Sequence, residues 1–350
     1  MCKLNLLPRK AIFYVKIILT LLLMQTTVSV SQENHVKKLL KNNFSNWGKW
    51  GEADQIGALN YLDKEQTMRG VRAVKQGKRF TLQIPMTHGT GPVFPGRTPV
   101  IHFMAQDESL YFLKNKEPLE GGIKYSDDAV FMYLQGTSHV DALGHAWYGE
   151  KLYGGFSAKS STHGHSKVDI AAIGEEGITG RGVLLDIGRL KGDKKGRLKP
   201  NTCVNLGDLL ETAKKQGIKI EKRDILLIRT GSVERFYDNQ DKQNWNPMTE
   251  PGLCYSKDLV AWLHQMEIPV IASDNLGVEK VVQEIEGETY LIPLHGLLIR
   301  DLGIVLSEIY LLDKLADDCH TDKQYTFLFT AAPLKMVGGT GSPVNPIVIK

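Results

Sequence analysis

The sequence predicts an α/β fold, in one domain from about residue 45 to 350. Three observations predict it. Short apolar runs alternate with amphipathic helical runs to the end of the chain. No internal repeat or low-complexity linker interrupts the alternation. The composition, 42% hydrophobic and 23% charged, is that of a folded globular protein rather than a disordered one.

The first segment stands apart. Lys3, Arg9, Lys10 and Lys16 come before any acidic residue, an apolar stretch runs from Ile17 to Met24, and Thr26 to Ser31 are small or polar. That order predicts a secretory signal peptide over residues 1–31, cut near Val30 or Ser31, and so a periplasmic or secreted protein. Ile17 to Val30 is 14 residues, short of the roughly 20 a helix needs to cross a bilayer, so no membrane attachment is expected once it is removed. The formal net charge is +4, and residues 1–31 carry four positive and no negative charges, so the rest is formally neutral. A neutral body gives no support to a nucleic-acid partner. Of the four cysteines, Cys203, Cys254 and Cys319 remain after the leader; their spacing makes no metal knuckle, and one bridge or buried free thiols are both open.

The elements follow in order. Residues 32–46 read as a polar lead-in. Ala129–Leu134 reads as a strand, and Gly182–Ile187 as a compact apolar strand. Lys191–Pro200 is a charged surface loop. A helix begins at Asn205 as N-cap and ends at Gly217. Asp224–Arg229 is a strand, Ser256–Met266 a helix, Ile268–Ala272 a strand and Tyr325–Thr330 a late strand. The alternation implies a buried sheet.

The chemistry concentrates in Gln135-Gly-Thr-Ser-His139-Val-Asp141-Ala-Leu-Gly-His145, directly after a predicted strand. His139 and Asp141 are two apart, so in extended backbone they share one side. An imidazole and a carboxylate on one side suit a borderline divalent ion such as Zn²⁺ or Mn²⁺. One turn could return His145 to the same cleft, and Gly136 and Gly144 allow the backbone to bend around it. The bland alternative is three polar residues in a loop. Ser138 lacks a nucleophile-elbow setting. His163 and His165 resemble a small chelate, His88 and His102 flank a Gly/Pro-rich loop that could border a pocket, and His264 falls on a predicted helix.

This stretch resembles the signature His-x-Gly-Thr-His-x-Asp-x-Pro-x-His of the cyclase family, which includes bacterial kynurenine formamidase and isatin hydrolase. Further blocks resemble the family in order: Lys49-Trp50-Gly51 to Asn60, Tyr148 to Gly155, Gly180 to Asp186, Pro293-Leu-His295 with Gly303 to Glu308, and Ala332 to Pro343. The resemblance implies a swivelling β/β/α arrangement, a homo-oligomer, and a small-molecule substrate. It implies metal ligands at His139, Asp141, His295 and Glu308, with Gln135 at the place of the first motif histidine. It implies His145 as proton donor and acceptor, Trp50 as a pocket residue, and one or two divalent ions, Zn or Mn, per chain. The sequence departs from the pattern at Gln135, at Thr137-Ser138 and at Leu143 where proline is usual. The activity expected is hydrolysis of an amide, formamide or cyclic amide C–N bond by metal-activated water. The alternatives are a metal-dependent cyclase or lyase on a small carbonyl metabolite, and a non-catalytic periplasmic metal- or ligand-binding protein. A His145 retained beyond the ligand set favours an enzyme.

Overall fold

The computed structural model describes residues 35–350; the leader reading over residues 1–31 lies outside them. Residues 35–40 are helical and belong to a small N-terminal unit that ends at Asn43. Phe44–Lys350 forms the second unit, and the site lies within it. No helix among the described residues is long and apolar enough to cross a membrane.

Nine strands of the second unit share one sheet: β1 (Arg79–Thr81), β2 (His139–Asp141), β3 (Ile178–Asp186), β4 (Ile225–Arg229), β5 (Val270–Ser273), β6 (Val305–Glu308), β7 (Thr326–Ala331), β8 (Gly341–Pro343) and β9 (Ile347–Ile349). Their order is β1-β9-β7-β3-β4-β5-β6-β2-β8. The four central strands, β3 to β6, run parallel, and the pairings outside them are antiparallel. This is the α/β fold the alternation predicts. Parallel strands covered on both faces need continuous apolar runs, and Ile225-Leu-Leu-Ile228 of β4 is wholly buried.

Helices cover the sheet, and their ends follow local chemistry. Asn205 and Asp208 form a reciprocal capping box at the start of Leu206–Gln216, and Gly217 ends that helix at φ +69°. Ser256 caps Lys257–Gln265. Helix Lys64–Ala73 lies so close to β3 that a Cβ on Gly70 would come within 2.6 Å of the Gly180 carbonyl.

The strand expected over Ala129–Leu134 is placed differently. It spans Asp127–Phe131, pairs with Ile101–Gln106 in a separate two-stranded ribbon, and is exposed along its length. Gly136 donates its backbone N–H to the Tyr133 carbonyl, and that turn separates the apolar run from the motif. The motif carries its own short strand, β2, which the reading of apolar runs did not foresee because it contains His139 and Asp141. The Lys191–Pro200 loop is also more than a surface excursion: Arg197 is buried and pairs with Asp238 and Asp241.

Candidate metal centre

Two register facts build the centre. His139 and Asp141 lie two apart on β2, so both side chains leave the same face. On the neighbouring strand, Glu308 is the residue paired with His139. Residues 169 positions apart are thereby side by side, at the carboxyl end of β6. His139, Asp141 and Glu308 each offer a ligand atom, all within 4.8 Å of one another and all buried.

The donors are aimed rather than merely close. The His139 Nδ1–H donates to the Thr137 carbonyl at 2.8 Å, which turns Nε2 inward toward the two carboxylates. That Nε2 lies 3.5 Å from Asp141 Oδ1 and 3.3 Å from Glu308 Oε2. Donors held about 2.1 Å from one tetrahedral ion sit roughly 3.4 Å apart, so the spacing is that of a ligand set. His139 Nε2 and both Asp141 oxygens are buried without a hydrogen-bond partner. Leaving such groups unpaired costs on the order of 1–3 kcal/mol each, more when charged. A divalent cation answers all three, so the residues present fit one.

Protonation follows from the same packing. Burial alone would lower the His139 imidazolium, but the Asp141 and Glu308 carboxylates outweigh it and hold it up to about 9. Burial would raise Asp141, yet the His145 and His139 charges hold its carboxyl well below the usual range. In His145 burial prevails and its pKa falls, which favours the neutral ring. His295 is raised well above the ordinary value, because Glu279 and Glu308 overcome the effect of burial.

His295 joins the cluster through Glu308, with Nε2 3.0 Å from Oε1. His145 lies at the rim, its Nε2 3.7 Å from Asp141 Oδ1. Gln135 meets the opposite ring nitrogen: its amide nitrogen is 3.3 Å from His145 Nδ1 and 3.1 Å from Thr340 Oγ1. Trp50 is placed elsewhere, packing edge-on against Tyr61 at 4.9 Å between ring centroids. Ser138 is structural; its hydroxyl accepts from Ile84 N–H and donates to the Ile309 carbonyl.

Glu279 was not foreseen. It accepts from His295 Nδ1–H at 2.7 Å and from the backbone N–H groups of Leu294 and His295, so it turns His295 Nε2 toward Glu308. Sequence spacing carries no signal for it, since it lies 16 residues before His295 with a hairpin between. Of the other histidines, His165 is buried against Gly144, where a Cβ would come within 2.4 Å of its Nδ1. Gly144 is thus required by close approach. His88 and His102 contact each other at the base of the exposed ribbon, and His264 stacks on Phe44.

The Cyclase family model, described as "Putative cyclase", matches residues 80–280. A crystal structure of a novel cyclase is 37% identical, covering 88% of this chain and 98% of its own, with a TM-score of 0.77. Isatin hydrolase A from Labrenzia aggregata, bound to benzyl benzoate, is 18% identical over 79% of this chain and 94% of its own, with a TM-score of 0.55. Isatin hydrolase A from Ralstonia solanacearum is 14% identical over 77% and 91%, also with a TM-score of 0.55. At those identities the likeness to the isatin hydrolases is one of fold. No curated protein sequence matches the chain.

Proposed function

The chain belongs to the cyclase family, and on that premise we propose that it is a metal-dependent hydrolase cleaving a C–N bond of a small amide, formamide or cyclic amide. The observation that carries the reading is the buried, unpartnered face of His139 Nε2 and the Asp141 carboxylate opposite Glu308, with His145 beside it. His139, Asp141 and Glu308 would hold the ion, Zn²⁺ or Mn²⁺; His295, shared with Glu308, completes the set or extends it to a second ion. When bound, a divalent ion supplies the positive charge that acidifies water and polarises a carbonyl.

The remaining work falls to the chain's own groups. His145 takes the proton of the attacking water and delivers one to the leaving nitrogen, a role its burial-lowered pKa suits. Gln135 steadies that ring. An amide carries both a donor and an acceptor, so by rotating it can serve His145 Nδ1 in either tautomer. Glu279 and the Thr137 carbonyl fix the tautomers of His295 and His139. A pure binding site has no use for His145 or its Gln135–Thr340 support, and this favours catalysis over storage.

The test is a panel of formamides, cyclic amides and lactones, run with chelator and with Mn²⁺ or Zn²⁺ restored. Turnover of a C–N substrate should need the metal. His139→Ala and Asp141→Ala should lose metal by elemental analysis. His145→Ala should keep it while turnover falls by about 10²–10⁴-fold. Wild-type metal content and turnover in both ligand variants would sink the reading.

A further inference from the structure

The carboxyl edge of the parallel strands carries a second feature besides the metal centre. β6 ends there in Glu308, and β3, separated from it by β4 and β5, ends in Asp186. Over the Asp186 end lies a cavity of about 470 Å³. Small-molecule pockets run from roughly 300 to 1,000 Å³, and open α/β sheets bind ligands outside the carboxyl ends of their strands. Two helices finish at this cavity: Leu206–Gln216, followed by Gly217, and Asp313–Asp322, followed by Lys323. Gln216 fixes the first of them on β3. Its amide oxygen accepts from the Asp186 N–H at 2.8 Å, and its amide nitrogen donates to the Leu184 carbonyl at 2.6 Å.

The lining is cationic. Asp186 is the one carboxylate in it, and that charge is already matched: Arg189 Nε donates to Oδ2 at 2.9 Å, and Arg229 donates to Oδ1 at 2.7 Å. Asp317 takes up the rest of Arg189, and Asp322, beside Lys323, is held by Lys350 at 2.9 Å. Lys214, Lys215 and Lys323 line the same cavity, and among the described residues no carboxylate pairs with any of them. Beyond residue 31 the chain is formally neutral, so three unmatched ammonium groups around one cavity make a local positive field.

The helix dipole by itself accounts for a lysine near a helix end. It does not account for Tyr325. This side chain lines the cavity and is 4% exposed, yet among the described residues its hydroxyl has no hydrogen-bond partner. A buried tyrosine hydroxyl ordinarily finds one. Burial pushes its pKa up, so at neutral pH it keeps its proton and can donate. Leu190 adds an apolar wall.

We propose that this cavity binds a small organic dianion, a phosphate monoester or a dicarboxylate, whose charged end meets Lys214, Lys215 and Lys323 and accepts from the Tyr325 hydroxyl. A double charge answers three ammonium groups better than a single one, and lysine meets phosphate or carboxylate as a point charge. The body of the ligand lies on Leu190 and the Tyr325 ring. None of the lining residues belongs to the His139–Asp141–Glu308 group. The site makes no use of the reaction proposed above, and either can fail without the other.

The test is isothermal titration of the full-length or exported protein, at low ionic strength, with phenyl phosphate, phthalate and benzoate. At least one of the two dianions should bind, one per chain, and the tighter of them identifies the headgroup. Benzoate, with the same ring and one charge, should bind at least 10-fold more weakly, and added salt should weaken the dianion. Lys214→Ala with Lys323→Ala should cost at least 10-fold in affinity, and Tyr325→Phe roughly 3–10-fold. The two lysines are exposed and the phenylalanine keeps the ring, so both variants should fold; circular dichroism and metal content check this. Failure of both dianions to bind at millimolar concentration would overturn the proposal. So would benzoate binding as tightly as they do, or dianion binding that both variants leave intact, which would place the anion elsewhere on the molecule.

Discussion

At Gln135 the chain carries an amide where the motif it resembles carries a histidine. The structure sets that amide against His145 Nδ1 and Thr340 Oγ1, in hydrogen-bonding reach of the ring expected to move protons. A positioning role and a ligand role make different predictions. Gln135→Ala removes a hydrogen bond of about 1 kcal/mol, so kcat should fall roughly 3–10-fold with metal content near wild type. Elemental analysis beside steady-state kinetics separates the two roles. Loss of metal in step with activity would return Gln135 to the ligand set. At this scale His139, Asp141 and their shared side were legible, because a spacing of two in extended backbone has a single geometric consequence. The contact of Gln135 with Thr340 was not, since 205 residues separate them and only the pairing of β8 with β2 brings them together.

Between elements, the loops after the parallel strands are joined by buried carboxylates. Glu250 accepts from the Ser232 hydroxyl, the Trp245 indole N–H and the Leu276 backbone N–H, so it ties together three segments that share no strand pairing. Burial raises it from 4.5 to about 7, against the pull of those donors. A carboxyl raised on folding favours the folded state most when protonated. Its contribution is full below about pH 4.5 and is lost as pH rises through about 7. Glu250→Gln is neutral throughout. The stability of wild type relative to Glu250→Gln should therefore fall by about 3 kcal/mol between pH 4.5 and 8, read from urea midpoints. A difference that stays flat with pH would mean the carboxyl ionises normally inside the fold. Elements of this kind were legible in outline only. The strand read over Ile268–Ala272 is β5 shifted by two residues at its start, and the helix read over Ser256–Met266 begins after its cap. The strand read over Ala129–Leu134 is present over Asp127–Phe131, but in an exposed ribbon, because an apolar run looks the same whether a sheet buries it or nothing covers it.

For the whole molecule, the two cysteines left open by the sequence are bonded. Cys203 and Cys254, 51 positions apart in sequence, form a disulfide with Cα atoms 5.4 Å apart, beside the short parallel pairing of Cys203–Val204 with Gly252–Leu253. A loop of that size gives a crosslink worth roughly 2–4 kcal/mol by restricting the unfolded chain. Such bonds persist where the surroundings are oxidising. The basic-then-apolar order of residues 1–31 argues for the same compartment on separate grounds. Protein recovered from its native location should therefore show, by mass spectrometry, a mature N-terminus between Val28 and Glu33 and a closed bridge, with Cys319 free. Cys203→Ser with Cys254→Ser should lower the urea midpoint without removing metal, because neither cysteine belongs to the His139–Asp141–Glu308 group. An intact Met1 together with two alkylatable thiols at 203 and 254, on protein recovered from the cytoplasm, would defeat the export reading. It would also remove the bridge from the account of stability.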